Sequence, residues 1–243
     1  MKKPVVIRIL AVLSVLGLGS FIYLQFFATT FEYAGTVEAT RVDLPSRVAT
    51  VIKEVLVEEG QLVKKDQVLA RLSCEDLTLA NALAKENYVR AVNLKKTGSI
   101  SKEAFDLAEN KKDDAQTRVD WCEIKAPTDA TVLDRYLEPG EWANPGTKIV
   151  AVANLNDLYA YFYVPQDLMS SLKVGDTVTA RVPEIKREYQ GHVIKINDEA
   201  EFTPKNVQTQ AERTRLVFGI KIGFKNQDGQ LKPGMTLQSV LKK

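Results

Sequence analysis

The feature that most constrains the fold is a segment of about 25 residues that occurs twice. Residues 48–72 read VATVIKEVLVEEGQLVKKDQVLARL, and residues 129–153 read DATVLDRYLEPGEWANPGTKIVAVA. Both begin close to an Ala-Thr-Val triplet, pass through a turn with an acidic residue and a glycine, reach a second turn and end in an apolar strand. Neither half can bury its apolar face alone, so the pattern predicts that the two halves pack together as one two-sheet module.

The chain between the two halves has helical periodicity instead. The apolar residues that share one helical face are Leu77, Ala80, Ala84, Ala91 and Leu94 in a first stretch, and Ala104, Ala108, Ala115, Val119 and Cys122 in a second. Thr97-Gly98-Ser99 breaks the pattern, and Ser101 is suited to begin the second helix as its N-cap. The sequence therefore predicts an antiparallel α-hairpin inserted into a β-chain.

Strand patterns return after the second half. The extended runs lie at residues 159–164, 178–182, 191–196, 216–224 and 235–241. These short strands, separated by turns, predict a small antiparallel barrel or sandwich. The fold class predicted for the whole chain is mainly β with an inserted helical hairpin.

An apolar run occupies the N-terminal region. Residues 9–31 contain no charged side chain, and Lys2, Lys3 and Arg8 precede them. About 20 apolar residues in a helix span about 30 Å of hydrocarbon, and the preceding cations favour a cytoplasmic N-terminus. We expect an uncleaved membrane anchor, with a cleaved signal peptide as the alternative. In both cases the rest of the chain lies outside the cytoplasm.

The composition excludes several classes of function. Lys plus Arg number 33 and Asp plus Glu number 31, so no basic excess suggests binding to nucleic acid. One histidine, His192, and two cysteines are too few for a His-dense metal site or a zinc cluster. Neither a nucleophile elbow nor an H-E-x-x-H motif occurs. We therefore expect neither enzymatic activity nor a cofactor.

In these features the chain resembles the periplasmic adaptors, or membrane fusion proteins, of the HlyD type. The resemblance rests on VKKDQVLARL at 63–72, KAPTDA at 125–130, YQG at 189–191 and LKPGM at 231–235. It implies, in chain order, an anchor at 1–31, the first half of a lipoyl-like domain with its lead-in strand at 32–73, an α-hairpin at 74–122, the second half at 123–158 and a β-barrel at 159–243. The lipoyl-like domain of this family is also called a barrel-sandwich hybrid.

The same resemblance implies partners. Adaptors of this family link an inner-membrane transporter to a TolC-like outer-membrane channel and assemble on themselves, which here implies a hexameric ring. Family members that dock on such a channel carry Arg, Leu and Ser at the positions of Arg90, Leu94 and Ser101, near the tip of the hairpin. Residues 201–209, followed by Arg213, resemble the barrel segment of adaptors that pair with ABC-type transporters. The implied location is the inner membrane, crossed once, with most of the chain in the periplasm.

Two other functions remain open on the sequence. A lipoyl or biotinyl carrier shares the β-halves, but its modified lysine must lie on the tight turn that the helical segment replaces here. A membrane-anchored envelope scaffold would share the anchor and the hairpin without a role in transport. The tip residues Arg90, Leu94 and Ser101 argue against the scaffold, although a surface arginine, a packed leucine and a capping serine would look the same.

The two cysteines lie at the two ends of the predicted hairpin. An antiparallel arrangement brings Cys74 and Cys122 together, and the periplasm is oxidising, so we expect a disulfide there. The alternative is a pair of free buried thiols, because helix axes lie about 8–10 Å apart whereas bridged Cα atoms lie within about 7 Å.

Overall fold

The computed structural model describes residues 32–202 and 216–241. Within these residues the chain is mainly β, with thirteen strands and two α-helices. It divides into two compact units, which are described separately. The first unit comprises residues 38–158 and 226–233, and the second comprises residues 32–37, 159–202, 216–225 and 234–241. The predicted anchor at 1–31 lies outside the described residues.

The first unit is built from short antiparallel strands. They are β1 (Tyr33–Pro45), β2 (Thr50–Val55), β3 (Leu62–Val63), β4 (Val68–Leu72), β5 (Glu123–Lys125), β6 (Ala130–Arg135), β7 (Trp142–Ala143) and β8 (Lys148–Pro165), of which β1 and β8 also contribute residues to the second unit. The order β5-β4-β2-β7 forms one sheet, and β8-β6-β3 lies in another. Ile52, Leu69, Val132 and Ile149 are buried in one apolar core, which both halves of the repeat share.

The backbone hydrogen bonds repeat between the two halves. The N–H of Gly60 donates to the carbonyl of Val132 over 2.8 Å, and the N–H of Gly140 donates to the carbonyl of Ile52 over 2.9 Å. Strand pairing follows the same exchange, because β3 pairs with β6 and β7 pairs with β2. Each half therefore completes the sheet of the other, as the repeat predicts.

The strand pairing relates the two halves of the repeat in an alignment that is shifted by one residue from the alignment of their Ala-Thr-Val triplets. Thr50 pairs with Ala143, whereas the equivalent pair in the other half is Ala130 with Val63. Thr50 thus corresponds to Ala130 and not to Thr131. The turns fix this register, since Gly60 (φ +82°) and Gly140 (φ +95°) both adopt the left-handed conformation that the tight turn requires.

Two helices are inserted between β4 and β5. Helix α1 spans Glu75–Lys96 and α2 spans Lys102–Asp120, and they lie side by side in opposite directions. Acidic residues in the first turn of α1 and lysines in its last turn complement the helix dipole. We call residues 75–120 the helical pair. Among the described residues, neither helix combines the length and apolar character needed to cross a bilayer.

The surface on which the two helices pack differs from the predicted one. Ala80, Leu94 and Ala104 were expected on the contact face, but all three are exposed. Asn81 and Phe105 are buried there instead. The prediction is wrong at these positions because it followed a stripe made mostly of alanine and included neither the polar Asn81 nor the aromatic Phe105.

From Leu77 to Ala91 the observed contact face of α1 follows a spacing of four and three residues, and Val92 beside it is also half-buried. Its buried or half-buried members are Leu77, Asn81, Ala84, Tyr88 and Ala91. The amide nitrogen of Asn81 donates to Gln116 Oε1 over 3.0 Å, whereas its buried Oδ1 has no hydrogen-bond partner among the described residues. Tyr88 packs against Phe105 with ring centroids 5.8 Å apart, so two aromatic rings fill the space that alanines were expected to leave.

The second unit is an antiparallel β-structure. Its strands besides β1 and β8 are β9 (Thr177–Val182), β10 (Arg187–Ile196), β11 (Glu201–Phe202), β12 (Leu216–Lys225) and β13 (Thr236–Ser239), in the order β11-β12-β10-β9-β13-β1. Each of the predicted strand runs in this part of the chain overlaps an observed strand. Gly191 lies against the ring of Phe224, where a Cβ atom would approach a ring carbon to 2.6 Å. Most of the segment that resembles ABC-associated adaptors, residues 203–213, lies outside the described residues.

Candidate docking site at the tip of the helical pair

The residues predicted to dock lie at the connected end of the helical pair. Arg90 and Leu94 are one turn apart on α1, and Ser101 immediately precedes α2. All three are exposed, and Leu94 retains 45% of its accessible surface. The guanidinium of Arg90 donates one hydrogen bond, over 2.6 Å, to Asn87 Oδ1 on the same helix. Because a guanidinium has five N–H donors, this bond orients the group without exhausting its capacity.

The turn between the helices is held by local hydrogen bonds. Gly98 adopts φ +70°, which ends α1, and the N–H of Ser99 donates to the carbonyl of Leu94 over 2.8 Å. Ser101 Oγ accepts the N–H of Ala104 over 3.1 Å and so caps α2, as its sequence position predicts. Ser101 therefore has a structural role whether or not it also contacts a partner.

Two lysines of the helical pair stack on its aromatic rings. Lys95 Nζ lies 3.5 Å from the ring centroid of Phe105, and Lys112 Nζ lies 4.4 Å from that of Tyr88. Such cation–π contacts hold the charge on the surface of the pair. Arg90 differs from these lysines, because its guanidinium is held by a hydrogen bond to the short side chain of Asn87 and not by an aromatic ring.

The opposite end of the helical pair carries a disulfide. Cys74 and Cys122 are bonded, both are buried, and their Cα atoms lie 6.2 Å apart. This separation is inside the limit of about 7 Å because the cysteines flank the helices and do not lie within them. The N–H of Leu72 also donates to the carbonyl of Cys122 over 2.9 Å, which joins the end of β4 to the end of the helical pair.

Ion pairs surround this disulfide-bonded end. Arg71 contacts Glu54 at 2.7 Å and Glu123 at 3.4 Å, and Lys125 contacts Glu123 at 2.9 Å. The Lys125 ammonium, followed by Arg71, lowers the pKa of Glu123. A carboxylate held by two cations stays ionised at neutral pH, so β4 and β5 remain linked at the base of the helices.

Sequence reasoning missed two exposed apolar side chains on the first unit. Leu62 and Trp142 retain 78% and 58% of their accessible surface. Both follow the acidic-and-glycine turn at equivalent positions of the repeat, but that position does not by itself indicate exposure. Across residues 32–202 and 216–241, no group of three or more His, Cys, Asp or Glu side chains is placed to hold a metal ion.

Comparison with known families accounts for both units. Residues 40–154 match the family described as "CzcB-like, barrel-sandwich hybrid domain", and residues 159–243 match the one described as "CusB-like, beta-barrel domain".

Two relatives are a "UPF0194 membrane protein in asrC 5'region" of Acidithiobacillus ferridurans and a "UPF0194 membrane protein" of Citrobacter koseri. The first is 34% identical over 113 residues, which are 46% of this chain and 33% of the relative. The second is 27% identical over an alignment of 320 positions that covers 97% of this chain and 96% of the relative. Because that alignment is longer than the 243 residues here, the relative carries insertions that this chain lacks.

Solved structures show the same fold. A MacA-MexA chimeric protein containing the α-hairpin domain of Pseudomonas aeruginosa MexA superimposes with a TM-score of 0.71 at 19% identity, covering 88% of this chain and 82% of the other. The membrane fusion protein Spr0693 of Streptococcus pneumoniae R6 superimposes with a TM-score of 0.65 at 19% identity, covering 88% and 99%. The chain therefore joins the two domains that these family models describe, a barrel-sandwich hybrid followed by a β-barrel. It shares the fold of the solved membrane fusion protein Spr0693.

Proposed function

We propose that this chain is the periplasmic adaptor of a tripartite efflux or secretion system. In this proposal it links an inner-membrane transporter of the ABC type to a TolC-like outer-membrane channel. Its role is to bind and to connect, without catalysis and without a cofactor. A carrier function is less favoured, because the turn that would present the modified lysine is replaced by the helical pair between β4 and β5.

The observation that carries the proposal is the contrast in exposure along the helical pair. At its free end Arg90 and Leu94 lie open to solvent one turn apart, whereas its other end is closed by a disulfide. A guanidinium can bind carbonyls or carboxylates of a partner, and a neighbouring leucine supplies an apolar anchor. An exposed pair of this kind on a projecting helix suits docking, and the helical pair would act as the α-hairpin of the adaptor.

The chain order assigns each segment a place in this assembly. Residues 1–31 are the inner-membrane anchor, 32–73 and 123–158 the halves of the lipoyl-like domain, 74–122 the hairpin and 159–243 the barrel. The first of these assignments is tested by topology. A periplasmic phosphatase fused after Phe31 should be active and a cytoplasmic reporter at the same point should be silent, and the reverse result would end the adaptor proposal.

The docking role is tested by substitutions at the tip. Arg90→Asp or Leu94→Ser should abolish cross-linking to the channel, and efflux with it. The first reverses a charge at the interface, which costs several kcal/mol of binding, and the second removes the apolar anchor. The matched control is Lys111→Asp, which makes the same charge reversal at an exposed position farther from the tip on α2. Circular dichroism and membrane fractionation should show that all three variants fold and insert. Equal losses at Arg90 and Lys111 would contradict a special role of the tip.

The type of transporter is tested by purification. The resemblance of residues 201–209 and Arg213 to ABC-associated adaptors supports a partner with an ATPase subunit. Affinity purification of the full chain from detergent-solubilised membranes should therefore recover a permease and an ATPase, identified by mass spectrometry. Recovery of a proton-driven transporter instead would refute the ABC assignment and leave the adaptor role intact.

A further inference from the structure

Arg90 has two hydrogen-bond acceptors within reach on its own helix, and it binds the neutral one. Asn87 lies three positions before it in the chain, and Glu86 lies four positions before it. Side chains of a helix lean towards its N-terminus, so a guanidinium at position 90 approaches both of these positions. In the structure Arg90 Nη2 donates to Asn87 Oδ1 over 2.6 Å, and among the described residues Arg90 forms no ion pair with Glu86.

The spacing of the charges favours the other partner. A glutamate four positions before a basic residue is the better of the two orientations for an ion pair on the surface of a helix. Glu86 is also the only acidic residue between Asp76 and Glu103, so it is the one carboxylate of this part of α1. The hydrogen bond from Arg90 to Asn87 therefore stands in place of an ion pair that the sequence allows.

The choice of acceptor decides what charge the site presents. An amide oxygen such as that of Asn87 orients a guanidinium and leaves its positive charge, whereas a carboxylate at the distance of an ion pair cancels much of that charge. A shallow hollow on α1 is bordered by Lys85, Glu86, Val89 and Arg90. A partner that enters this hollow meets Arg90 either as a free cation or as half of an ion pair.

Asn87 contributes little to the stability of the helical pair. It is exposed, and it lies in the interior of α1, where asparagine is a poorer helix former than alanine. The residues of α1 that are buried or half-buried near this point are Ala84, Tyr88 and Ala91, and Asn87 is not among them. Its contact with Arg90 is the structural role that remains for its side chain.

We propose that Asn87 is a positioning residue of the docking site. It holds the guanidinium of Arg90 away from Glu86, so that the group stays oriented and cationic and offers its other N–H donors to carbonyl or carboxylate oxygens of the partner. The inference rests on the proposed docking role of Arg90. It adds the residue that keeps this arginine available.

The first test measures docking with the full-length protein in living cells. A photoreactive amino acid at Ser99, in the exposed turn, reports binding as the yield of its channel adduct. Asn87→Ala should lower this yield about fivefold, because a long side chain must then be ordered on binding and also withdrawn from Glu86. Adding Glu86→Gln should recover about twofold of that loss, which is the worth of an exposed ion pair on a helix. Asn87→Gln should keep most of the parent yield, because its amide oxygen can still accept.

The matched control is Asn110→Ala, the same substitution at an exposed position of α2 about equally far along the chain from the turn. It should leave the adduct unchanged, as should Glu86→Gln alone. Asn87→Ala should not lower the melting temperature, because alanine is the better helix former, so a loss of docking without a loss of stability separates positioning from structural support. Parent-level adduct in Asn87→Ala would overturn the proposal, and so would a loss that Glu86→Gln leaves in full.

The second test needs no channel. Carbon-13 NMR of the full-length protein in detergent follows the side-chain carboxyl of Glu86. Arg90→Gln should leave this resonance in place when Asn87 is present and should move it in the Asn87→Ala background, where Arg90 binds Glu86. Movement with Asn87 present, or in neither background, would contradict the proposal. A parent-level adduct in Arg90→Asp would instead refute the docking role itself, so the two failures can be told apart.

Discussion

The two ends of the helical pair are built in different ways. At the base, a disulfide joins Cys74 to Cys122, and Arg71, Glu123 and Lys125 form ion pairs that link β4 to β5. At the tip, the backbone is held by the cap at Ser101 and by a tight turn, and the side chains point to solvent. Covalent and charged contacts thus fix where the helices leave the β-unit, and the other end is available for binding.

In the proposed docking role, this difference lets a small domain present its binding surface at a distance. The helices span 22 and 19 residues, which corresponds to about 30 Å at 1.5 Å per residue. Any rotation at the base is multiplied along that length, so a rigid base positions the tip accurately. Substitutions that remove the features of each end in turn test this difference.

The largest effect on stability is expected from the disulfide at the base. Replacing both cysteines, Cys74→Ser with Cys122→Ser, should lower the free energy of unfolding by about 4 kcal/mol, because the bond closes a loop of 48 residues and restricts the unfolded chain. Urea denaturation followed by circular dichroism measures this change. Parent protein treated with reductant should match the double variant, and identical stability with and without reductant would mean that the base is held by packing alone.

The next largest loss in the free energy of unfolding is expected from Phe105, near the tip of the helical pair. Phe105→Ala should cost about 3 kcal/mol, because a buried ring that packs against Tyr88 is lost and a cavity is left. The control is Leu107→Ala on the same helix, which removes a side chain that is 53% exposed and should cost less than about 0.5 kcal/mol. Similar losses in both variants would show that the helices do not pack as described.

Two substitutions at Ser101 distinguish its role as a helix cap from a role in docking. Ser101→Ala should destabilise α2 by about 1 kcal/mol, because the N–H of Ala104 loses its acceptor. Ser101→Asn keeps a capping side chain and should preserve stability. If Ser101 also contacts the channel, the Asn variant should fold normally but cross-link to the channel less well. Full cross-linking of that variant would restrict the docking site to Arg90 and Leu94.

The smallest effect concerns the charge on Glu123 at the base. Lys125 and Arg71 lower its pKa in the folded protein, so the stabilisation that it contributes is present at neutral pH and is lost as the pH falls through that lowered value. Lys125→Met should raise the pKa of Glu123 towards its ordinary value. An NMR titration of the Glu123 carboxyl carbon measures this change, and Lys111→Met should leave the pKa where it is in the parent protein.

The β-part of the fold was largely predictable from the sequence. Short strands, glycine turns and an internal repeat are local signals, and the two halves pair as the repeat predicts. The observed pairing is shifted by one residue from an alignment of the Ala-Thr-Val triplets, because the triplets are not at equivalent positions. Hydrogen bonds at the turns fix the pairing, and a triplet of common residues carries less information than a turn that needs a left-handed glycine.

The helical contact face and the exposed edges could not be predicted in the same way. Asn81 is buried in the contact, where its amide nitrogen donates to Gln116 Oε1 across 35 positions of sequence, a pairing that no local pattern reveals. The exposure of Leu62 and Trp142 follows from the positions of β3 and β7 as the last strands of their sheets, which the repeat alone does not specify. Arg90 and Ser101 were located correctly at the tip, since helix ends and caps are local features. Their docking role stays a prediction.

The most direct test of the account is photo-cross-linking of the unaltered docking residues in living cells. A photoreactive amino acid at Ser99, in the exposed turn of the tip, should yield an adduct with a TolC-like outer-membrane channel. The same amino acid at Asp76, in the first turn of α1 beside the disulfide, should yield none. Adducts are identified by mass spectrometry of the shifted band. A channel adduct from Ser99 alone is the predicted result, and equal yields from both positions, or no channel adduct from Ser99, would contradict the claim that the tip of the helical pair is the docking site.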